Sequence, residues 1–462
     1  MADQTLTLTE GSVARHLLRL ALPVLVGHVL MLGYGLADSY FISQIDPHST
    51  TLMSGVGTVF PVYFFFLAIA LGMGAGTASL VARAVGARDE QALSQVGDSG
   101  LVMALGLAAL SCSVFLLCGD WLVGLIAGPA LGEESRAVAR IFLRGMVPGF
   151  AFMPVNHVLG GILQGEGRMM AVVKSMMLSL LLNIALDPLF IFGFGWGVIG
   201  AGLATSVSIF ISAAYLLWVL LRGQSAVRIH FSHQAVRLAT IGEIARVGAP
   251  NAGSFALMSV FFVLINHAIG ALGEDVMTAW ALVGRADDTI LLIGYALSSA
   301  VLTFAGQNAA AGQWLRVRAA LRWAMIFGTL GSLVLAAVYM LFAPGLFGLM
   351  SDHPGVIDLC VRQVRWISWT YSGIVASIIF NSFFLGLGRP WPGVASTVLR
   401  MGCVSVPVLL WMVFVLKANM GEVLIALALL NSLSLPVMWL WAEWLLGRRA
   451  GPSGPLAIQS AP

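Results

Sequence analysis

Five oxygen-bearing residues lie in long apolar runs of one half of the chain: Asp38, Asn156, Asn183, Asp187 and Thr205. Asn183 and Asp187 are four apart, so on a helix they share a face. Charge in such runs is expensive and needs a reason. Two buried carboxylates can share one proton. With amide and hydroxyl oxygens beside them they can equally wrap a hard cation such as Na+. The residue types leave the choice between H+ and Na+ open. Each residue also has a plainer role. Asp187, just before Pro188, suits a helix end, and Asp38 suits a solvated place near a membrane surface. The amides and the hydroxyl suit helix–helix hydrogen bonds.

In the second half, Arg285, Asp287 and Asp288 open another apolar run. The two aspartates are a candidate second-half site, and an ion pair with Arg285 is the plainer alternative. His267, beside Asn266, is expected to pack against neighbours. Lys174 and Arg400 are expected to snorkel to the cytoplasmic surface. Pro23 and Pro250 sit inside the first apolar run of each half. An interior proline removes a backbone hydrogen bond and kinks the helix. Pro23 is therefore a candidate kink, either a static one or a bend that responds to protonation on the same helix.

The chain of 462 residues is 59% hydrophobic and 10% charged, with mean hydropathy +0.93. Soluble proteins carry about 25% charged residues. Runs of about 20 apolar residues follow one another, each long enough to span a bilayer. Backbone groups in hydrocarbon must bond internally, so these runs predict helices, and they lack the alternation of a membrane barrel. We predict spans at roughly 17–42, 54–81, 97–119, 139–163, 173–194, 198–221, 247–272, 281–306, 321–343, 365–387, 396–416 and 422–446.

The runs also repeat. Arg19-Leu20-Ala21-Leu22-Pro23 returns as Arg246-Val247-Gly248-Ala249-Pro250, and Gly165-Glu166-Gly167-Arg168 returns as Gly386-Leu387-Gly388-Arg389. The expected fold is an all-α integral membrane protein with twelve transmembrane helices in two homologous six-helix bundles. The bundles are placed at 1–221 and 247–446, with a cytoplasmic linker at 222–246 and a disordered cytoplasmic tail at 447–462. Duplicated bundles of this kind point to secondary transport. Arg83, Arg88, Arg168, Arg222, Arg316, Arg318 and Arg389 fall on one set of loops, which places both termini in the cytoplasm. Arg136, Arg140, Arg362 and Arg365 are exceptions. Gly72, Gly74 and Gly76 predict close helix packing.

The N-terminus lacks the pattern of a signal peptide. The four cysteines form no C-x-x-C, and Cys112, Cys118 and Cys403 are expected to be buried, inert thiols. There is no Walker A, G-x-S-x-G or H-E-x-x-H motif, so neither ATP drive nor enzymatic catalysis is indicated. Scattered arginines without stacking aromatics give no nucleic-acid signature. No cofactor is expected beyond H+ or Na+ as coupling ion.

Several stretches, in order, resemble the multidrug and toxic compound extrusion (MATE) transporters over roughly residues 10–446. They are Leu20-Ala21-Leu22-Pro23, Ala37-Asp38-Ser39, Ala82-Arg83-Ala84-Val85-Gly86-Ala87, Gly165-Glu166-Gly167-Arg168 and Gly306-Gln307-Asn308. The N-terminal set is similar to that of the DinF-like branch. That resemblance implies a cation-coupling pocket of Asp38, Asn183, Asp187 and Thr205, with Asn156 nearby and Pro23 bending on protonation. It implies export by antiport, through alternating access, of amphipathic organic compounds, with organic cations the expected class. The NorM-type branch carries an acid within its seventh helix; 247–272 has none, leaving Asp287 and Asp288 as the acids that could partly replace it. The reading is a monomer in the plasma (inner) membrane, handling a small organic molecule. A lipid-linked oligosaccharide flippase is the alternative within transport. A membrane-embedded receptor or enzyme is the alternative from another class.

Overall fold

The computed structural model describes residues 8–46, 50–127, 132–230 and 236–447. Every regular element among them is helical. The first half contains α1 (Val13–Ser43), α2 (Thr50–Ala87), α3 (Glu90–Ala127), α4 (Glu133–Gly165), α5 (Met169–Pro188) and α6 (Gly197–Val219). The second contains α7 (Leu238–Gly270), α8 (Glu274–Ala310), α9 (Trp314–Gly348), α10 (Pro354–Ile367) and α11 (Tyr371–Gly386). It ends with α12 (Trp391–Thr397), α13 (Val406–Leu410) and α14 (Met420–Gly447). A 3-10 turn, Ser368–Thr370, joins α10 to α11. π-helical turns at Val398–Ser405 and Trp411–Val415 join α12 and α13 into one continuous span. Among the described residues, twelve helical stretches are long and apolar enough to cross a membrane.

The helices extend beyond the apolar runs that mark them. α7 starts at Leu238, so residues 238–246 of the expected linker are helical. α8 starts at Glu274, making Asp287 an interior residue rather than the opening of a span. Polar residues at helix ends hide such extensions from a hydropathy reading. Cys118 and Cys403 are exposed, contrary to expectation, whereas Cys360 is buried. Apolar runs in a membrane protein have an outward face, and these two thiols lie on it. The tail from 448 onward lies outside the described residues, as does His233 of the linker.

Packing groups Leu22–Ala256 into one compact unit, while the described residues up to Ala21 join those from Leu257 onward in the other. The packing boundaries thus fall inside α1 and α7, the two proline-bearing first helices, and not at the bundle limits of 221 and 247. α1 runs on unbroken through Pro23.

In the first unit, the glycine row on α2 has a steric purpose. A Cβ on Gly74 would lie 2.6 Å from the His157 carbonyl oxygen of α4. One on Gly72 or Gly76 would lie 2.7 or 2.6 Å from carbonyl oxygens of Gly248 or Ile244 on α7. Backbones meet where side chains are missing. Ser206 on α6 ties α4 as well, donating to the Gly145 carbonyl at 2.8 Å and accepting from the Gly149 N–H at 2.9 Å. In the second unit, Arg316 at the start of α9 gathers the segment before α1. It donates to the carbonyls of Leu8, Glu10 and Gly11 and to Asn308 Oδ1, at 2.7 to 3.1 Å.

The repeat is visible in the turns. Left-handed residues recur at Arg88 and Gly312, Gly167 and Gly388, and Gly195 and Lys417. The closing bonds match: Arg168 N–H to Leu163 at 2.8 Å, and Arg389 N–H to Phe384 at 2.9 Å. π-helical turns at Leu189–Gly193 and Trp411–Val415 are likewise related.

Candidate functional site

The first-half site is built on neighbouring helices. α5 presents Asn183 and Asp187 on one face, and α6 presents Thr205 opposite; all three are buried. Asn183 Nδ2 donates to Asp187 Oδ1 at 3.3 Å and to Thr205 Oγ1 at 3.4 Å. The amide thus spends its donors on the two other residues and leaves its own carbonyl oxygen free. Just beyond Asp187, Pro188 ends the helix and a π-helical turn follows, as expected where a proline removes a backbone donor.

Asp38, half-buried on α1, lies near enough to Asp187 and to Tyr63 of α2 for its charge to act on both. Asp38 Oδ1, Asn183 Oδ1 and Asp187 Oδ2 are buried without a hydrogen-bond partner among the described residues. All three are acceptor oxygens. Buried carboxylates without basic partners need a proton or a cation. The donor set, two carboxylates with an amide and a hydroxyl oxygen, fits either H+ or a hard cation such as Na+. Among the described residues no cluster of three His, Cys, Asp or Glu side chains stands ready for a metal.

Asn156 is not bonded to this group. Its Nδ2 donates to Ser212 Oγ at 2.8 Å, and Ser212 pairs with Ser175 Oγ at 2.5 Å. Ser212 is seven residues, or about 10 Å, along α6 from Thr205. This network cross-links α4, α5 and α6. Tyr63 is the residue that reading the chain missed. Its ring borders Phe150 at 6.2 Å, and Phe150 stacks on Phe115 at 4.0 Å. A phenol inside span two was the available signal.

In the second half, Asp287 takes Tyr371 as its partner. The phenol donates to Asp287 Oδ2, and Tyr339 also reaches this carboxylate. Asp287 Oδ1 is buried without a hydrogen-bond partner among the described residues. The expected ion pair of Arg285 with Asp287 or Asp288 does not form among the described residues. Val283, Asp287 and Ile290 share a face of α8, and Val283 and Ile290 pack against α10 and Tyr371. That face turns inward, which draws Asp287 to the phenols. His267 stacks on Phe414 at 5.7 Å, and Asn266 accepts from Trp280 Nε1 at 3.1 Å, both plain packing roles. Lys174 is exposed on the second turn of α5.

The arginines that broke the loop pattern are mostly paired. Arg140 meets Glu133 at 2.9 Å, Arg136 meets Glu133 at 3.7 Å and Arg362 meets Asp358 at 2.9 Å. Their positive charge is offset locally.

Comparison with known proteins agrees with this architecture. The MatE family profile matches residues 23–189 and 250–411. The chain is 27% identical to a FAD transporter of Shewanella oneidensis, over 87% of this chain and 88% of that one. It is 23% identical to the probable multidrug resistance protein NorM of Thermotoga maritima, over 87% and 86%. A solved outward-facing multidrug resistance MATE transporter of the MOP superfamily superposes with TM-score 0.88 at 25% identity. The match covers 97% of this chain and 99% of that one.

Proposed function

The chain belongs to the MATE family of membrane transporters, and from that premise we propose that it is an antiporter. It exports amphipathic organic compounds, organic cations among them, in exchange for H+ or Na+. Asp38, Asn183, Asp187 and Thr205 hold the coupling ion. The observation that carries this reading is the set of three buried acceptor oxygens without donors. A single H+ or Na+ bound there offsets one of the two carboxylate charges in one state, and its release in the other leaves both unshielded. That difference in affinity between states is what coupling requires.

Pro23, fifteen residues before Asp38 on α1, is the point at which occupancy would alter the helix. Asp287 and Asp288 form a second titratable group that contributes to coupling. Asn156 supports the pocket by fixing α4 to α6. The transporter works as a monomer in the plasma (inner) membrane with both termini in the cytoplasm. The similarity to a FAD transporter favours testing a phosphate-bearing flavin beside the organic cations.

The experiment uses purified protein in liposomes. Uptake of a fluorescent organic cation and of FAD is followed under separate proton and sodium gradients, with Asp38→Asn in parallel. Flux driven by one gradient and lost in the variant supports the reading and identifies the ion. Undiminished flux in Asp38→Asn overturns the assigned pocket. No flux of either compound under either gradient overturns antiport and turns attention to a lipid-linked oligosaccharide.

A further inference from the structure

Arg400 is the tenth residue of the span Trp391–Val415. At 1.5 Å per residue it lies roughly 14 Å along the axis from Trp391. That is about the middle of a hydrocarbon core some 30 Å thick. The distance exceeds what its side chain can bridge, so snorkelling to the surface fails as an account. Its Nε is buried and has no hydrogen-bond partner among the described residues. No carboxylate acts on it among the described residues; burial alone sets its environment. Other arginines of the same unit are served differently: Arg322 meets Glu443 at 3.0 Å and Arg316 is saturated by carbonyls. Yet Arg400 keeps some accessible surface. Intramembrane arginines are costly and usually pair with something.

The backbone is unusual at the same place. Val398–Ser405 is π-helical, a form that concentrates at functional sites. The repeat-related stretch, 176–183, is ordinary α-helix within α5. Gly402 lets the Phe261 ring of α7 close on this segment, where a Cβ would lie 2.7 Å from it. Met401, Val406 and Leu409 pack against Ile265 and Ile269. Met401, Gly402, Val406 and Leu409, which follow Arg400, thus face apolar partners.

We propose that Arg400 recognises the phosphate of a ligand held within the membrane span. A guanidinium suits phosphate because it stays charged and presents paired N–H donors in one plane. The phosphate can come from a lipid headgroup or from a phosphate-bearing soluble compound. The site shares no residue with the coupling pocket and does not depend on antiport.

Equilibrium binding without any gradient tests it. Flavin mononucleotide and riboflavin differ only by the phosphate, and both fluoresce. Their affinities are measured for the wild type, Arg400→Met and Arg400→Lys in detergent. Retention of phosphatidylglycerol over phosphatidylcholine is measured for the same proteins by native mass spectrometry. A preference for flavin mononucleotide that falls at least about tenfold in Arg400→Met, and less in Arg400→Lys, assigns a soluble phosphate. Loss of phosphatidylglycerol retention in Arg400→Met assigns a headgroup. The ligand-free melting temperature of Arg400→Met is expected to hold or rise, because the arginine has no partner among the described residues. If Arg400→Met changes neither preference, or melts lower without ligand, the proposal fails.

Discussion

The two halves repeat the same helices but place their polar atoms at different points. Residue spacing puts Ser405 and Leu409 of the second half where the first has Asn183 and Asp187. Thr205 corresponds to Leu427. The oxygen-rich pocket therefore has no twin. Conversely, Asp287, Tyr339 and Tyr371 correspond to Tyr63, Phe115 and Phe150. One seam in the first half is aromatic, with Phe115 and Phe150 stacked at 4.0 Å. The same seam in the second half buries a carboxylate under two phenols. A duplicated scaffold thus tolerates polar groups at either seam, provided that their neighbours change with them. Buried polar groups have thus divided between halves that share a backbone.

The largest expected effect separates the halves directly. Asp187→Asn should lower gradient-driven uptake by roughly 100-fold, the equivalent of about 3 kcal/mol of charged contacts. Asp287→Asn should lower it less. Liposome flux under the coupling gradient measures both, and a larger loss in Asp287→Asn would move the principal ion site to the second half.

Exchanging the seams comes next. Tyr371→Phe leaves Asp287 short of a donor and should cost about 1–3 kcal/mol. Phe150→Tyr introduces a hydroxyl into the apolar cluster and should cost a similar amount for the opposite reason. Thermal melting in detergent reads both, and unchanged melting in either would mean that the seams are interchangeable.

A smaller loss is expected from Asn156→Ala, about 1 kcal/mol for its bond to Ser212, with coupled flux retained. Abolished flux in a normally melting Asn156→Ala protein would instead bring this amide into the ion pocket.

The smallest effect concerns the loop where one half has Glu166 and the other Leu387. Glu166 accepts from Ser225 Oγ at 2.5 Å and from the Val227 N–H at 2.9 Å. Burial nevertheless raises its carboxyl above the ordinary glutamate range, with these donors and Arg168 opposing. A carboxyl raised by folding adds stability below its ordinary value, and that share is lost as pH rises through the folded value. Glu166→Gln should flatten this decline. Melting temperatures across that window would show equal slopes if the group contributed nothing.

Much of this comparison is legible in the chain itself. Long apolar runs marked the twelve spans, and charges within them marked Asp38 and Asp187, because hydrocarbon penalises both polar backbone and charge. Helix starts at Leu238 and Glu274 were hidden, since polar turns at a membrane surface carry no hydropathy signal. Tyr63, Tyr339 and Tyr371 were hidden for another reason. A phenol reads as an aromatic filler until its hydroxyl has a carboxylate to meet. The π-helical segment around Arg400 was hidden as well, because Pro407 just beyond it signals a lost backbone donor but not a wide turn.

The paired turns have a practical consequence. Arg88 (φ 57°) and Lys417 (φ 56°) hold left-handed conformations where the other half has Gly312 and Gly195. Such geometry costs a side-chain-bearing residue about 1–2 kcal/mol. Each half therefore serves as a reference sequence for the other. Copying the glycine across at positions 88 and 417 is a route to a hardier protein that needs no information from outside the chain.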